Sequence, residues 1–284
     1  MATLEHPGIL PRLAAPSKFC YFVADGNSVV LVWNTMSTKV SKHKRVGQVE
    51  PESQDGYNLQ GQRLGRKGQE TRERILVAAL RLIETSPDSM ITLSAVAREI
   101  SVRMPNLYLY FPDLGELVLA CLIRVMDSAD EAYMDRLRSR WPEDALELHV
   151  LGFLRAHFQF WQQHTRILHM RNSFADVGDS RFVKYRRTTS APLIELVIQQ
   201  MDGRPEERDT RRADLATVIL AGFERLATVV TAPSFHGAAE VAGIVDEDLY
   251  VERLLAAEAE LITPAIRHQR ALAKSTSKVK PRKS

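Results

Sequence analysis

Cysteine is nearly missing from this chain: Cys20 and Cys121 are the only two among 284 residues. Two thiols so far apart build neither a disulfide framework nor a zinc site, so a reducing cytoplasm is the expected compartment. Long apolar runs are missing too. Phe19 to Trp33 is rich in Val, Phe and Tyr, but Asp25-Gly26-Asn27 interrupts it, and it lacks a basic start and a small-residue cleavage site. Neither a membrane span nor a signal peptide is expected. The net charge of +3 is too small to argue for nucleic acid by itself, so the placement of the charges must decide. There is no glycine-rich phosphate loop, no nucleophile elbow and no carboxylate pair spaced for acid–base work, so neither an enzyme nor a cofactor is expected. His149, His157, His164 and His169 have no Cys or paired carboxylate at ligand spacing, so they read as ordinary core or surface histidines and no metal is expected.

What the chain does have is apolar residues, 45% of the total, enough for a real core. Their spacing is helical almost throughout. The informative stretch is Thr92 to Leu117. Leu93, Val96, Ala97 and Ile100 follow the three- and four-residue rhythm of a helix with one apolar face. Val102 breaks that rhythm, and Leu107, Tyr108 and Phe111 restart it. Two short helices joined by a tight connection make either a helix-turn-helix, whose second helix enters the major groove, or an ordinary helical hairpin; periodicity leaves both open.

The run from Ala97 to Leu117 resembles the DNA-binding domain of the tetracycline-repressor (TetR) family. Ala97, Val102, Leu107, Tyr108, Tyr110, Phe111, Glu116 and Leu117 carry the match. Upstream, Thr71-Arg72-Glu73-Arg74-Ile75-Leu76 and then Ala78-Ala79 resemble that family's first helix. The resemblance is specific over Thr71 to Ala120; beyond that it covers length and helical character only. It implies an all-α fold, with a three-helix DNA-binding head followed by a ligand-binding and dimerisation body. It further implies a homodimer on a palindromic operator in double-stranded DNA, and a repressor released by a hydrophobic small-molecule effector.

Within that reading Arg103 and Asn106 are the base readers, since Arg bonds guanine and Asn bonds adenine in a two-pronged manner. Met104 and Pro105 offer apolar contact to thymine methyls. Thr92, as helix cap, and Ser94 stand where the resemblance places groove-facing residues. Tyr108 and Tyr110 resemble phosphate-contacting positions; Tyr110 is expected to face DNA, while Tyr108 is open between DNA and core. Several residues depart from the family pattern. Ser101 stands at the usual turn glycine, so a strained or altered turn is expected. Arg103 stands where Ser or Thr often caps the recognition helix. Ala95 leaves the capping box of Thr92 incomplete, and Leu114 replaces a Lys that often touches phosphate. These departures favour one rival, a helical ligand-binding or interaction protein with a degraded DNA surface. The other rival is an architectural DNA-binding protein without inducer.

Residues 1–66 read as a mostly disordered extension, polar from Lys39 to Leu64, with a hairpin from Phe19–Val23 and Val29–Trp33 and with Met36 as a candidate start. Arg63, Arg66 and Lys67 form either a basic arm toward DNA or a solvated tail. The head is expected over 67–113, with helices near Lys67–Glu84, from Thr92, and near Arg103–Tyr110. The body covers 114–273. Its expected helices are Leu114–Arg140, Glu143–His164, Thr165–Val177, Arg181–Met201 kinked at Pro192, Glu206–Thr231, and Glu247–Ala273 bent or cut short at Pro264. Pro233 to Gly243 is expected as a loop and 274–284 as a disordered basic tail. Phe153, Phe158, Trp161, Met170, Phe174, Phe182 and Tyr185 have core spacing. By resemblance the same residues, with His157, enclose the effector pocket. Leu215, Val218, Ile219, Leu226, Leu254, Leu255 and Leu261 are the candidate dimer contacts.

Overall fold

The computed structural model describes residues 19–25, 28–34, 63–85, 91–203 and 209–279. The chain divides into two units, Met1–Gln48 and Val49–Ser284. The first contains an antiparallel hairpin, β1 (Phe19–Asp25) and β2 (Ser28–Asn34), in register from Phe19 opposite Asn34 to Asp25 opposite Ser28. β-branched and aromatic residues favour these strands, and they run slightly longer than the alternation suggested. The rest of residues 1–62, with the expected disorder and the candidate start at Met36, lies outside the described residues.

The elements described in the second unit are helices. The unit opens with α1 (Arg66–Thr85), α2 (Leu93–Glu99) and α3 (Met104–Tyr108). Arg66 and Lys67 belong to the first turn of α1 and are not part of a preceding arm. Ile75, Leu76, Ala78, Ala79 and Ile83 form the buried stripe of α1, with Leu80 and Leu82 half-buried beside it. One long helix was expected next, from Leu114 to Arg140. The chain instead forms α4 (Leu114–Met126), a single π-helical turn (Asp130–Met134) and the short α5 (Asp135–Arg138). Tyr133, in that turn, is buried in the core.

The remaining helices are α6 (Leu146–Gln163), α7 (Thr165–Asp176), α8 (Ser180–Gln200), α9 (Thr210–Val230), α10 (Pro233–Val241) and α11 (Glu247–Val279). Three features differ from the local reading. Pro233 to Val241 is helical where a loop was expected: Pro233 opens the helix, where a missing N–H costs nothing, and Gly243 follows its end at φ 70°. α11 is not ended by Pro264 but continues across it, with Ile262, Thr263 and Ile266 on either side buried. It also continues past Lys274 to Val279, where a disordered tail was expected, since adding residues to an existing helix costs little. Residues 280–284 lie outside the described residues.

α11 packs on α6 and α9, α8 on α9 and α7, and α4 on α1 and α7, around one continuous core from Ile75 to Ile266. A buried polar pin fastens the far end of the body. The Arg270 guanidinium, 1% exposed, donates to the Gln200 carbonyl at 2.7 Å, the Trp141 carbonyl at 3.0 Å and Glu143 Oε2 at 3.0 Å. The Gln200 amide in turn donates to the carbonyls of Leu137 (2.7 Å) and Ser139 (2.9 Å) and accepts from the Trp141 N–H (3.0 Å). These bonds satisfy carbonyls that the end of α5 leaves unpaired.

Candidate nucleic-acid interface

Thr92 starts α2 with extended backbone, and its Oγ1 accepts the Ala95 N–H at 3.1 Å. Val96 and Ala97 bury the apolar face, leaving Thr92 and Ser94 exposed, their hydroxyls 3.1 Å apart. The end of α2 is closed tightly. Val102 N–H donates to the Ala97 carbonyl at 2.9 Å, and Ser101 N–H to Arg98 at 3.1 Å. This pair of bonds needs a left-handed residue between them, and Ser101 takes that role at φ 57°. Arg74 of α1 donates to the Ile100 carbonyl at 3.1 Å, and Arg81 of α1 pairs with Glu99. The turn is thereby held from both sides. The expected strain at Ser101 is real: a side chain in this region costs about 1–2 kcal/mol. Ser101→Gly should therefore stabilise the fold by about 1 kcal/mol, read as a higher midpoint in urea at constant slope.

α3 begins at Met104. Arg103 occupies its cap position with extended backbone, φ −70° and ψ 141°, and makes no side-chain cap bond. Leu107, fully buried, anchors the helix, and Met104 is half-buried against the core. Arg103, Pro105 and Asn106 are exposed together on the outer side. Tyr110 was expected to face outward and Tyr108 was open between surface and core. Tyr108 is the more exposed, at 45%, while Tyr110 is half-buried and packs against the core. Phe111 is core, with the Arg72 guanidinium 5.3 Å from its ring centroid. Asp113 then caps α4, accepting the Glu116 N–H at 2.8 Å.

In the body, Phe153, His157, Trp161 and Phe182 are buried, and Phe158, Met170, Phe174 and Tyr185 are half-buried. Phe153 and His157 share one cluster with Phe223 and Tyr133, the His157 ring lying 4.6 Å from Phe223 and 5.1 Å from Tyr133. Phe174 stacks on Phe182 at 4.6 Å. Burial pushes the His157 imidazole down to about 3, the nearby Arg171 charge adding to it, so the ring is neutral. Burial also raises the Tyr133 and Tyr185 phenols. Arg171 is 4% exposed; it lies over the Trp161 ring at 5.3 Å and 3.6 Å from Glu224. Tyr133 stands four residues after the buried Ala129 and four before the buried Leu137, a helical spacing that marks it as inward-facing.

Two openings stand out elsewhere. A cleft of about 160 Å³ lies between the end of α1 and the α6–α7 corner, lined by Leu80, Ile83, Glu84, His164 and Arg166 among others. An open groove of about 580 Å³ runs between α9 and α11, past Leu215, Val218, Pro264 and His268. Neither is lined by the aromatic candidates. Of the candidate dimer contacts, Val218 (67%) and Leu261 (76%) are exposed and Leu215, Leu226 and Leu254 half-buried, whereas Ile219 and Leu255 belong to the core of the single chain. Among the described residues no three His, Cys, Asp or Glu are grouped to hold a metal, and no helix is long and apolar enough to cross a membrane.

No family model matches the chain, and no curated protein is similar to it. Solved structures are, two transcriptional regulators among them. One is a TetR-like transcriptional regulator from Rhodococcus sp. RHA1, 20% identical, covering 69% of this chain and 96% of its own, with a TM-score of 0.44. The other is a transcriptional regulator of the TerR/AcrR family from Aquifex aeolicus VF5, 12% identical, covering 68% of this chain and 99% of its own, with a TM-score of 0.42. Both neighbours are transcriptional regulators.

Proposed function

We propose that the chain is a sequence-specific, TetR-type DNA-binding regulator, acting as a repressor that a small hydrophobic effector releases. One observation carries this reading: a capped α2 and a tightly closed turn present Arg103 and Asn106 side by side, exposed, at the start of α3. Nothing in the fold of α3 requires either side chain there, because Arg103 caps nothing and Leu107 does the packing. Both residue types read base edges in the major groove. In this reading residues 67–113 are the head, Tyr108 is the phosphate-contacting tyrosine, and 114–273 is the body.

The partner of the body is a second copy of the chain, docked on the α9–α11 groove through Leu215 and Val218, with the exposed Leu261 one turn before Pro264 joining the contact, in the cytoplasm. Two heads would then meet successive major grooves of a palindrome. An effector among Phe153, His157, Trp161 and Tyr185 would favour a dimer with wrongly spaced heads. Coupling of about 1–3 kcal/mol would lower operator affinity about 5- to 150-fold. The test is an unbiased selection of duplexes from a random pool by the purified protein. The expected result is an inverted repeat with half-sites about 10 bp apart, or a multiple of that. Enrichment of no sequence would reject the function.

A contact between α9 and α11 supplies a pH prediction. Glu258 of α11 lies against Gly222 of α9, where an added Cβ would stand 2.9 Å from its Oε1, and Oε2 has no hydrogen-bond partner. Burial pushes its carboxyl from 4.5 up to about 7. A raised pKa means stability that is complete below the unfolded value and lost as pH rises through the folded one. The gain in melting temperature from Glu258→Gln should therefore be small at pH 4.5, grow up to about pH 7, and level off above it. A pH-independent difference between the two proteins would contradict this assignment.

A further inference from the structure

The junction between α3 and the body holds an ion cluster that neither the helix-turn-helix reading nor the effector reading uses. Arg181, in the first turn of α8, reaches back to the start of α4. Its Nη1 donates to both Asp113 oxygens, at 3.0 and 2.9 Å, and to Glu116 Oε1 at 3.1 Å. Its Nε and Nη2 hold Asp179 at 3.1 and 2.7 Å. Asp113 caps α4 and Asp179 caps α8, accepting the Arg181 N–H at 3.0 Å. One guanidinium therefore ties together the caps of two helices. It lies so close over Gly115 that a Cβ there would collide with it.

Asp113 follows the exposed Tyr108 by five residues, a reach of about 17 Å at most. Its carboxylate and that of Glu116, bound to the same Arg181 nitrogen, thus stand within a low-salt Debye length, about 30 Å, of the surface that presents Tyr108. Bare carboxylates in that place would repel phosphates. We infer that Arg181, a residue of the body, is a positioning residue for DNA binding: it masks Asp113 and Glu116 and fixes the start of α4 against α8. This rests on the proposed DNA-binding function. It gives the body a handle on the head, because a shift of α8 that draws Arg181 away unmasks two negative charges beside the DNA.

The test measures binding of the full-length chain to a labelled random-sequence duplex pool, by anisotropy, at low and high salt. Arg181→Ala should bind roughly tenfold more weakly at low salt, and the gap should narrow at high salt as the unmasked charges are screened. Adding Asp113→Asn and Glu116→Gln to Arg181→Ala should restore binding to within about twofold of the natural protein, since Asn still caps a helix. Helicity by circular dichroism shows that each variant is folded. Equal binding by Arg181→Ala overturns the inference alone, as does a loss that salt does not narrow or the added substitutions do not repair. Absence of binding by the natural protein overturns the DNA-binding function, and the inference with it.

Discussion

Arg270→Ala should lower the unfolding free energy by about 2–6 kcal/mol, because the carbonyls of Gln200 and Trp141 are left buried without donors at about 1–3 kcal/mol each. The removed side chain also leaves a void at a site 1% exposed. Glu143 provides the internal contrast. Its side chain is 48% exposed, so Glu143→Ala loses only a partly solvated arm of the pin and should cost at most about 1 kcal/mol. Arg270→Met separates the causes: it refills most of the volume but donates nothing. Should Met restore most of the stability in urea titrations, packing and not the carbonyl bonds would be the source. Should all three variants unfold with the natural protein, the pin would have no energetic weight.

The second large effect is on recognition. Replacing both Arg103 and Asn106 by alanine should abolish preference for the selected duplex while leaving binding to random duplexes nearly intact. Each two-pronged base contact contributes about 1–3 kcal/mol of discrimination, so the pair together should cost about 2–6 kcal/mol. The fold should tolerate the change, since both side chains are exposed and neither caps nor packs. Asn106→Ala alone should relax specificity at one base position. Competition binding against a panel of single-base operator variants reads both results. A uniform loss across the panel would make these residues phosphate contacts and move the reading of sequence elsewhere on α2 or α3.

The two predictions differ in how visible their residues are in the sequence. Asn106 follows from position: Leu107 must be buried, so the residue before it falls on another side of a short helix, whereas Arg103 is exposed because it precedes the helix in extended backbone. The cap at Thr92 and the left-handed turn at Ser101 are equally local, each closing bonds within a few residues. Tyr108 and Tyr110 mark the edge of such reasoning. α3 ends between them, so the helical rhythm that orders Leu107 and Tyr108 no longer applies at Tyr110, which turns toward the core.

The aromatic body was half legible. Spacing marked Phe153 and Trp161 as inward-facing, and they are, with His157 buried between them. It did not by itself say that Tyr133, although on the same helix face as Leu122 and Ala129, meets that cluster. Nor could it separate the two kinds of leucine-rich position on α9 and α11. Ile219 and Leu255 are consumed by the chain's own core, while Val218 and Leu261 are left outside, although all four sit in similar apolar surroundings in sequence.

By itself the sequence determined the helical class, the caps at Thr92 and Asp113, the forced turn at Ser101 and the exposed Arg and Asn of the third helix. All of these are settled by bonds and rotations spanning one or two helical turns. Tertiary structure alone decided the π turn at Asp130–Met134, the passage of α11 through Pro264, the pin at Arg270 and the cluster at Arg181. Their partners lie far away in the chain: Arg270 meets the carbonyl of Trp141 across 129 residues, and Arg181 meets Asp113 across 68. Local periodicity carries no information about such pairs, because what selects them is the close packing of helices that have already formed.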